Sequence, residues 1–147
     1  MDDDKTNFWE PCWACRVIAG EAVGCVVAET EHVLVLINPF SLSAGHALVV
    51  PRRHIENLYE LSDDLAAPVL STAAKVARAA KRAFEADGVT LRQNNEAASD
   101  QHLFHFHLHV IPRFAGDLER FNAAPQLASP SEQQAAASRL RLAIEPL

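Results

Sequence analysis

The stretch His105-Phe106-His107-Leu108-His109-Val110-Ile111-Pro112-Arg113 decides how this chain is read. Histidine alternates with an apolar residue through it, and a strand has a side-chain period of two. The spacing therefore predicts a strand over Leu103 to Ile111, with the imidazoles of His105, His107 and His109 on one face. Phe104, Phe106, Leu108 and Val110 would share the other face and pack on a core. A row of imidazoles must meet something polar, whether water, a metal ion or an anion. Neutral imidazole is a good nucleophile near neutral pH and its protonated form donates to phosphate oxygens, so phosphate chemistry is the reading that uses all three rings.

Working outward, Val89 to Gln93 reads as a strand joined to the histidine stretch by a polar loop. Ser62 to Asp87 has the clearest helical spacing, with Leu65, Val69, Ala73, Val76, Ala80 and Phe84 on one stripe. Ser62 is placed to cap it, Asp63 and Asp64 suit its positive end, Pro68 interrupts it, and Gly88 is expected to stop it. Upstream, Gly24–Glu29, His32–Ile37 and His46–Val50 are short strand-like runs rich in Val, Leu and Ile. Ser131 to Ile144 reads as a short C-terminal helix, after an irregular Pro- and Ala-rich stretch from Gly116. Together these predict an α+β fold with a mostly antiparallel sheet.

The 147 residues suit one domain with a real core. Residues 7–147 are read as that domain. The acidic opening Met1-Asp2-Asp3-Asp4-Lys5 is read as a flexible tail or a remnant of expression, without functional weight. A net charge of -6 excludes scanning of nucleic acid by bulk attraction. Any anionic substrate must instead find local positive charge, for which Arg52, Arg53, Arg92 and Arg113 are the candidates. No apolar run is long enough to span a membrane and no signal core follows the N-terminus, which predicts a cytoplasmic protein. Of the three cysteines, Cys12-x-x-Cys15 fits a metal or redox pair and Cys25 an ordinary buried residue.

The histidine stretch resembles the signature of the histidine triad (HIT) family. The likeness extends to Cys12-Trp-Ala-Cys15, Ile37-Asn38-Pro39, Gly45-His46-Ala-Leu-Val-Val-Pro51-Arg-Arg-His54-Ile-Glu-Asn57-Leu, and Asn94-Asn95, all in the family's order. The resemblance implies the HIT fold: about five antiparallel strands, one long helix and a short C-terminal helix, in a homodimer. It implies that His107 attacks the α-phosphorus of a purine nucleotide to form a nucleotidyl-histidine, which water then resolves. His109 and Asn94 would face the phosphate, Ile37 and Asn38 would line the nucleoside pocket, and Gln101 would join the nucleotide-binding set. Zinc-bearing relatives further imply a structural zinc ion held by Cys12, Cys15, His54 and His105, four protein ligands with no open position. The substrate class stays open among dinucleoside polyphosphates, nucleoside phosphoramidates and adenylylated small molecules. A nucleotide-binding regulator with negligible turnover is the alternative.

The sequence departs from the family in the loop before the triad, which usually reads Asn-Gly-x-x-Ala-Gly-Gln-Ser/Thr. Here it is Asn95-Glu96-Ala97-Ala98-Ser99-Asp100-Gln101-His102. Both glycines are replaced, and Asp100 tolerates positive φ better than Glu96 does. His102 stands where relatives carry a hydroxyl facing the leaving group. It becomes a candidate catalytic residue, provided the chain bends before Leu103. His46 is expected to do no more than brace the site, His32 to be solvated, and Trp9 and Trp13 to pack.

Overall fold

The computed structural model describes residues 8–147; the acidic opening lies outside the described residues. Helix α1 (Trp13–Ile18) leads into strands β1 (Val26–Glu29), β2 (Val33–Ile37) and β3 (Ala47–Pro51). The long helix α2 (Asp63–Phe84) follows, then β4 (Gly88–Arg92), β5 (Leu108–Arg113), a short helix α3 (Leu118–Asn122) and the C-terminal helix α4 (Pro130–Ala143). The five strands form one antiparallel sheet in the order β1-β2-β3-β5-β4. The fold is α+β, as the alternation of short apolar runs with one long amphipathic helix requires.

The central strands β2 and β3 are buried along their whole length, so both sheet faces are covered. On one face Val33, Val35, Ile37, Ala47, Val49 and Val110 meet the apolar stripe of α2 and Leu140 of α4. On the other, Leu34, Leu36, Leu48 and Val50 meet Trp9, Trp13 and Leu103. Each of those aliphatic side chains contributes roughly 1.5–3 kcal/mol on burial. The second face also carries His109, paired with Leu48 and with Arg92.

Several boundaries differ from the sequence reading, each for a physical reason. Strand β5 begins at Leu108, not Leu103. Upstream of it the Phe106 N–H donates to the Ile55 carbonyl at 2.7 Å instead of to a sheet neighbour. Phe104 is 38% exposed and leaves the apolar row, while Phe106 and Val110 stay in the core. Ser62 holds the N-cap position of α2 without capping it, because its hydroxyl is taken by Asp64 and by Arg53. That helix runs through Pro68 and ends where Glu85 turns left-handed; Gly88 opens β4. The 3-10 turns Leu58–Glu60 and Ala97–Ser99 and helix α3 carried no periodic signal.

Candidate functional site

Three histidine side chains are each fixed by a backbone group, and the partners set their tautomers. The Pro51 carbonyl lies 2.7 Å from His105 Nε2. A carbonyl only accepts, so Nε2 carries the proton and Nδ1 presents a lone pair. The His105 carbonyl in turn lies 2.8 Å from His107 Nδ1, which places the proton there and leaves the Nε2 lone pair of His107 free. The Leu42 N–H donates to His46 Nδ1 at 3.0 Å, so His46 Nε2 is the protonated atom. That Nε2 stands 2.9 Å from His109 Nδ1, which must accept, leaving an N–H at His109 Nε2.

His46 is positioned by the tight turn before β3. Gly45 has φ +83, and a Cβ there would meet the Phe84 ring at 2.3 Å, so only glycine fits. Asn38, just past β2, has its amide set by Phe40, whose N–H donates to Oδ1 at 3.0 Å. His46 is almost fully buried, and the brace expected of it takes a specific form, the orientation of the His109 ring.

His107 and His109 open on a cavity of about 250 Å³, also lined by Trp9, Asn38, Phe40, Leu42, His46, Arg92, Asn94, Asp100 and His102. Burial keeps the rings neutral. It lowers the pKa of His107, helped by Arg92 and His102 and opposed by the His105 carbonyl. It holds His109 well below the usual imidazole range, with His107, His46 and Arg92 adding to it. It pushes His46 down to about 3. A neutral His107 with its Nε2 lone pair in a cavity is a nucleophile that needs no deprotonation.

The sequence-selected residues divide clearly. His102, His107, His109, Asn38 and Asn94 meet at this cavity. The chain bends over Leu103 to His105, slightly later than the expected position before Leu103, and His102 lines the cavity. Ile37 does not reach it: the strand period turns its side chain to the α2 face, where it lines a separate hollow of about 560 Å³ beside α4. Gln101 is buried and its amide is spent on the loop. Oε1 accepts from Glu96 N–H at 2.6 Å, and Nε2 donates to the carbonyls of Glu56 at 2.7 Å and Leu103 at 3.1 Å. Trp9 and Trp13 pack as expected, at 5.3 Å between ring centroids, though Trp9 also forms cavity wall.

On the far side of the triad, Cys12 Sγ, Cys15 Sγ, His54 Nδ1 and His105 Nδ1 all lie within 4.8 Å of one another. The sulfur–nitrogen separations are 3.3–3.5 Å and the two nitrogens are 3.1 Å apart. A tetrahedral ion with ordinary zinc bond lengths would set these at about 3.6 and 3.3 Å. The donor chemistry fits a cation too. His105 Nδ1 is bare, and burial with the neighbouring Cys12 raises the Cys15 thiol to about 11, a cost that a bound cation removes. The four residues form a metal-capable site.

Residues 19–116 match the family model of the HIT domain. The chain belongs to the HIT domain family. Among curated HIT relatives, "Protein hit" of Bacillus subtilis strain 168 is 41% identical over 105 residues, covering 71% of this chain and 72% of that protein. Adenylylsulfatase HINT3 of Arabidopsis thaliana is 33% identical over 110 residues, covering 75% of this chain and 56% of that protein. Among solved HIT structures, a Zn-bound histidine triad family protein from Mycobacterium smegmatis superposes with a TM-score of 0.79 at 29% identity, covering 90% and 92% of the two chains. A hypothetical histidine triad nucleotide-binding protein from Sulfolobus tokodaii gives 0.82 at 29% identity, covering 90% and 91%.

Proposed function

We propose that this HIT protein binds a purine nucleotide in the 250 Å³ cavity and cleaves or transfers it at the α-phosphate through His107. The observation that carries the reading is the commitment of His107 Nδ1–H to the His105 carbonyl, which leaves a bare Nε2 in the cavity. The lone pair of Nε2 attacks the α-phosphorus, a P–N bond forms, and the bond to the leaving oxygen breaks with its electron pair passing to that oxygen. His102 supplies the proton to a basic leaving oxygen. Water then attacks phosphorus, the P–N pair returns to Nε2, and His102 takes up the proton released.

His109 Nε2–H is oriented by His46 to donate to a non-bridging oxygen, where charge grows in the transition state. Asn94 spends one amide hydrogen on the Ser99 carbonyl at 2.5 Å, leaving the other for phosphate. Trp9, Phe40 and Leu42 give the base apolar walls, and Asn38 offers its amide to the ribose. Gln101 contributes by holding the loop. Hydrolase relatives such as the adenylylsulfatase support turnover over mere binding.

Zinc is the ion proposed at Cys12, Cys15, His54 and His105. Bound there it acts structurally, tying α1 to the segment that carries the catalytic histidines. A homodimer is proposed through the free edge of β4, where Leu91 is 46% exposed. A cytoplasmic location is proposed from composition; among the described residues no helix is long and apolar enough to cross a membrane.

The test is single-turnover labelling with an α-labelled adenosine substrate under an alkaline denaturing quench. Wild type should carry one nucleotide per chain and His107→Asn none. An unlabelled wild type that still binds AMP would make the chain a nucleotide-binding regulator instead.

A further inference from the structure

Arg92 ends β4 directly opposite His109 in the ladder, so the two side chains stand on one sheet face. Its Nε is the one buried side-chain nitrogen or oxygen without a hydrogen-bond partner among the described residues. The other arginines that sequence put forward as anion contacts are already taken. Arg52 pairs with Glu29 at 2.7 Å, Arg53 with Asp64 at 3.7 Å and Arg113 with Asp117 at 2.6 Å. Among the described residues Arg92 has only the face of Phe121, 5.5 Å from its Cζ, and it lines the cavity with Asn94, Asp100, His102, His107 and His109.

Arginine does not shed its proton, so Arg92 is a partly desolvated charge without a partner. Natural interiors avoid that arrangement because it costs stability. Asp100 shares the cavity and favours the charged form, yet makes no ion pair with it among the described residues. The His109 N–H and the spare hydrogen of Asn94 already serve the α-phosphate. The arginine side chain is longer than histidine's, so from its paired position it is long enough to reach past the ring of His109.

Building on the nucleotidyl-transfer reading, we propose that Arg92 is a specificity-determining residue that binds the anionic group beyond the α-phosphate. The chain then takes nucleotides whose leaving group bears its own negative charge, a phosphate or a sulfate, in preference to those that expel a neutral amine. A planar guanidinium suits either oxyanion.

The experiment uses the His107→Asn chain, which holds ligands without turning them over, and compares Kd for ADP and AMP with Arg92 intact, Arg92→Gln and Arg92→Lys. With Arg92 intact, ADP should bind more tightly than AMP. Arg92→Gln should cut that preference by about 10- to 100-fold, the span of one charge-assisted hydrogen bond, and Arg92→Lys should recover part of it. Thermal melting without ligand gives a second readout. Removing an unpaired charge should leave Tm equal or higher, whereas a structural arginine would lower it. Equal weakening of AMP and ADP, or an unchanged preference with a lower Tm, would overturn the proposal. Failure of AMP to bind any of these chains would instead overturn the nucleotide reading beneath it.

Discussion

His46 Nε2 lies 2.9 Å from His109 Nδ1, and the Leu42 N–H on the far side of the His46 ring fixes which nitrogen donates. The chain of contacts runs from a backbone amide through two imidazoles to an N–H in the cavity. His46 thus acts through His109 as a positioning residue. His46→Gln should lower the nucleotidylation rate by about 10- to 100-fold, the usual cost of losing an orienting partner, with little change in nucleotide Kd. Asn38 Nδ2 lies 3.3 Å from His46 Nε2 and makes no hydrogen bond to His109 among the described residues, so it does not stand in for the lost donor. A variant that retained wild-type turnover would show that the His109 tautomer needs no support.

The same burial makes His46 an acid-sensitive element. Its folded pKa is pushed to about 3 by desolvation, with Arg92 and His107 adding to the effect. The unfolded chain protonates it near 6.5. A depressed folded value means its stabilising contribution is complete above 6.5 and is lost as pH falls toward 3. Between those limits it should add a slope of about 1.4 kcal/mol per pH unit to the unfolding free energy. Urea titrations between pH 7 and 4 should show that the His46→Gln slope is shallower by close to one proton. Identical slopes would mean that His46 is already protonated in the fold.

Much of this was legible beforehand, and the reasons are specific. Val33 to Ile37 announces itself as an unbroken apolar run, because both of its faces are buried, and the Leu65–Phe84 stripe because one-sided burial of a helix imposes a period of 3.6 residues. The three histidines were legible as a set, but not their surroundings. His105 and His107 precede the strand, in a segment whose hydrogen bonds go to Ile55 and Pro51, contacts of long range that no local period encodes. His46 and Arg92 are single residues whose meaning comes from the neighbours that tertiary structure brings. Gln101 looked like a ligand contact and is a brace, because sequence order says nothing of where an amide points.

The loop before the triad carries strain. Glu96 sits at φ 72, ψ 162, a region open almost only to glycine, while Asp100 at φ 64, ψ 31 occupies the left-handed region that Asp tolerates. Glu96→Gly should therefore stabilise the chain by about 1 kcal/mol, even after loss of the contact in which Tyr59 O–H donates to the Glu96 carboxylate at 3.1 Å. Asp100→Gly should gain only a few tenths, roughly. Denaturant unfolding of both variants measures the difference, and a destabilised Glu96→Gly would show that the carboxylate outweighs the backbone.

Metal removal should loosen the N-terminal helix and leave the sheet. Cys12 and Cys15 project from α1 and its cap, whereas His54 and His105 belong to the segments after β3 and before β5. Cys12→Ser with Cys15→Ser, or strong chelator on the wild type, should lower Tm by roughly 10 °C. Elemental analysis of tag-free protein should find about one zinc per chain in the wild type alone, as a four-ligand site holds one ion. Full stability of the metal-free protein would remove the ion from the fold.

His102 is the residue whose role turns on the leaving group. It is exposed, lines the cavity, and acts on His107 closely enough to lower that ring's pKa. An imidazolium there can donate a proton to the departing oxygen or nitrogen, and such general-acid help is worth roughly 10²–10⁴ in rate. The help matters only when the leaving group is basic. Across adenosine substrates of rising leaving-group pKa, His102→Ala should show little loss with weakly basic groups and a loss that steepens as basicity rises. His102→Ser should recover part of the loss, because a hydroxyl can hydrogen-bond the same atom. Arg92→Gln should sort the same substrates differently, by the charge of the leaving group and not by its basicity, so the two variants separate two roles at one end of the cavity. Single-turnover nucleotidylation across the series decides it. A loss that is uniform over all leaving groups would return His102 to the exposed loop and leave departure of the group to solvent.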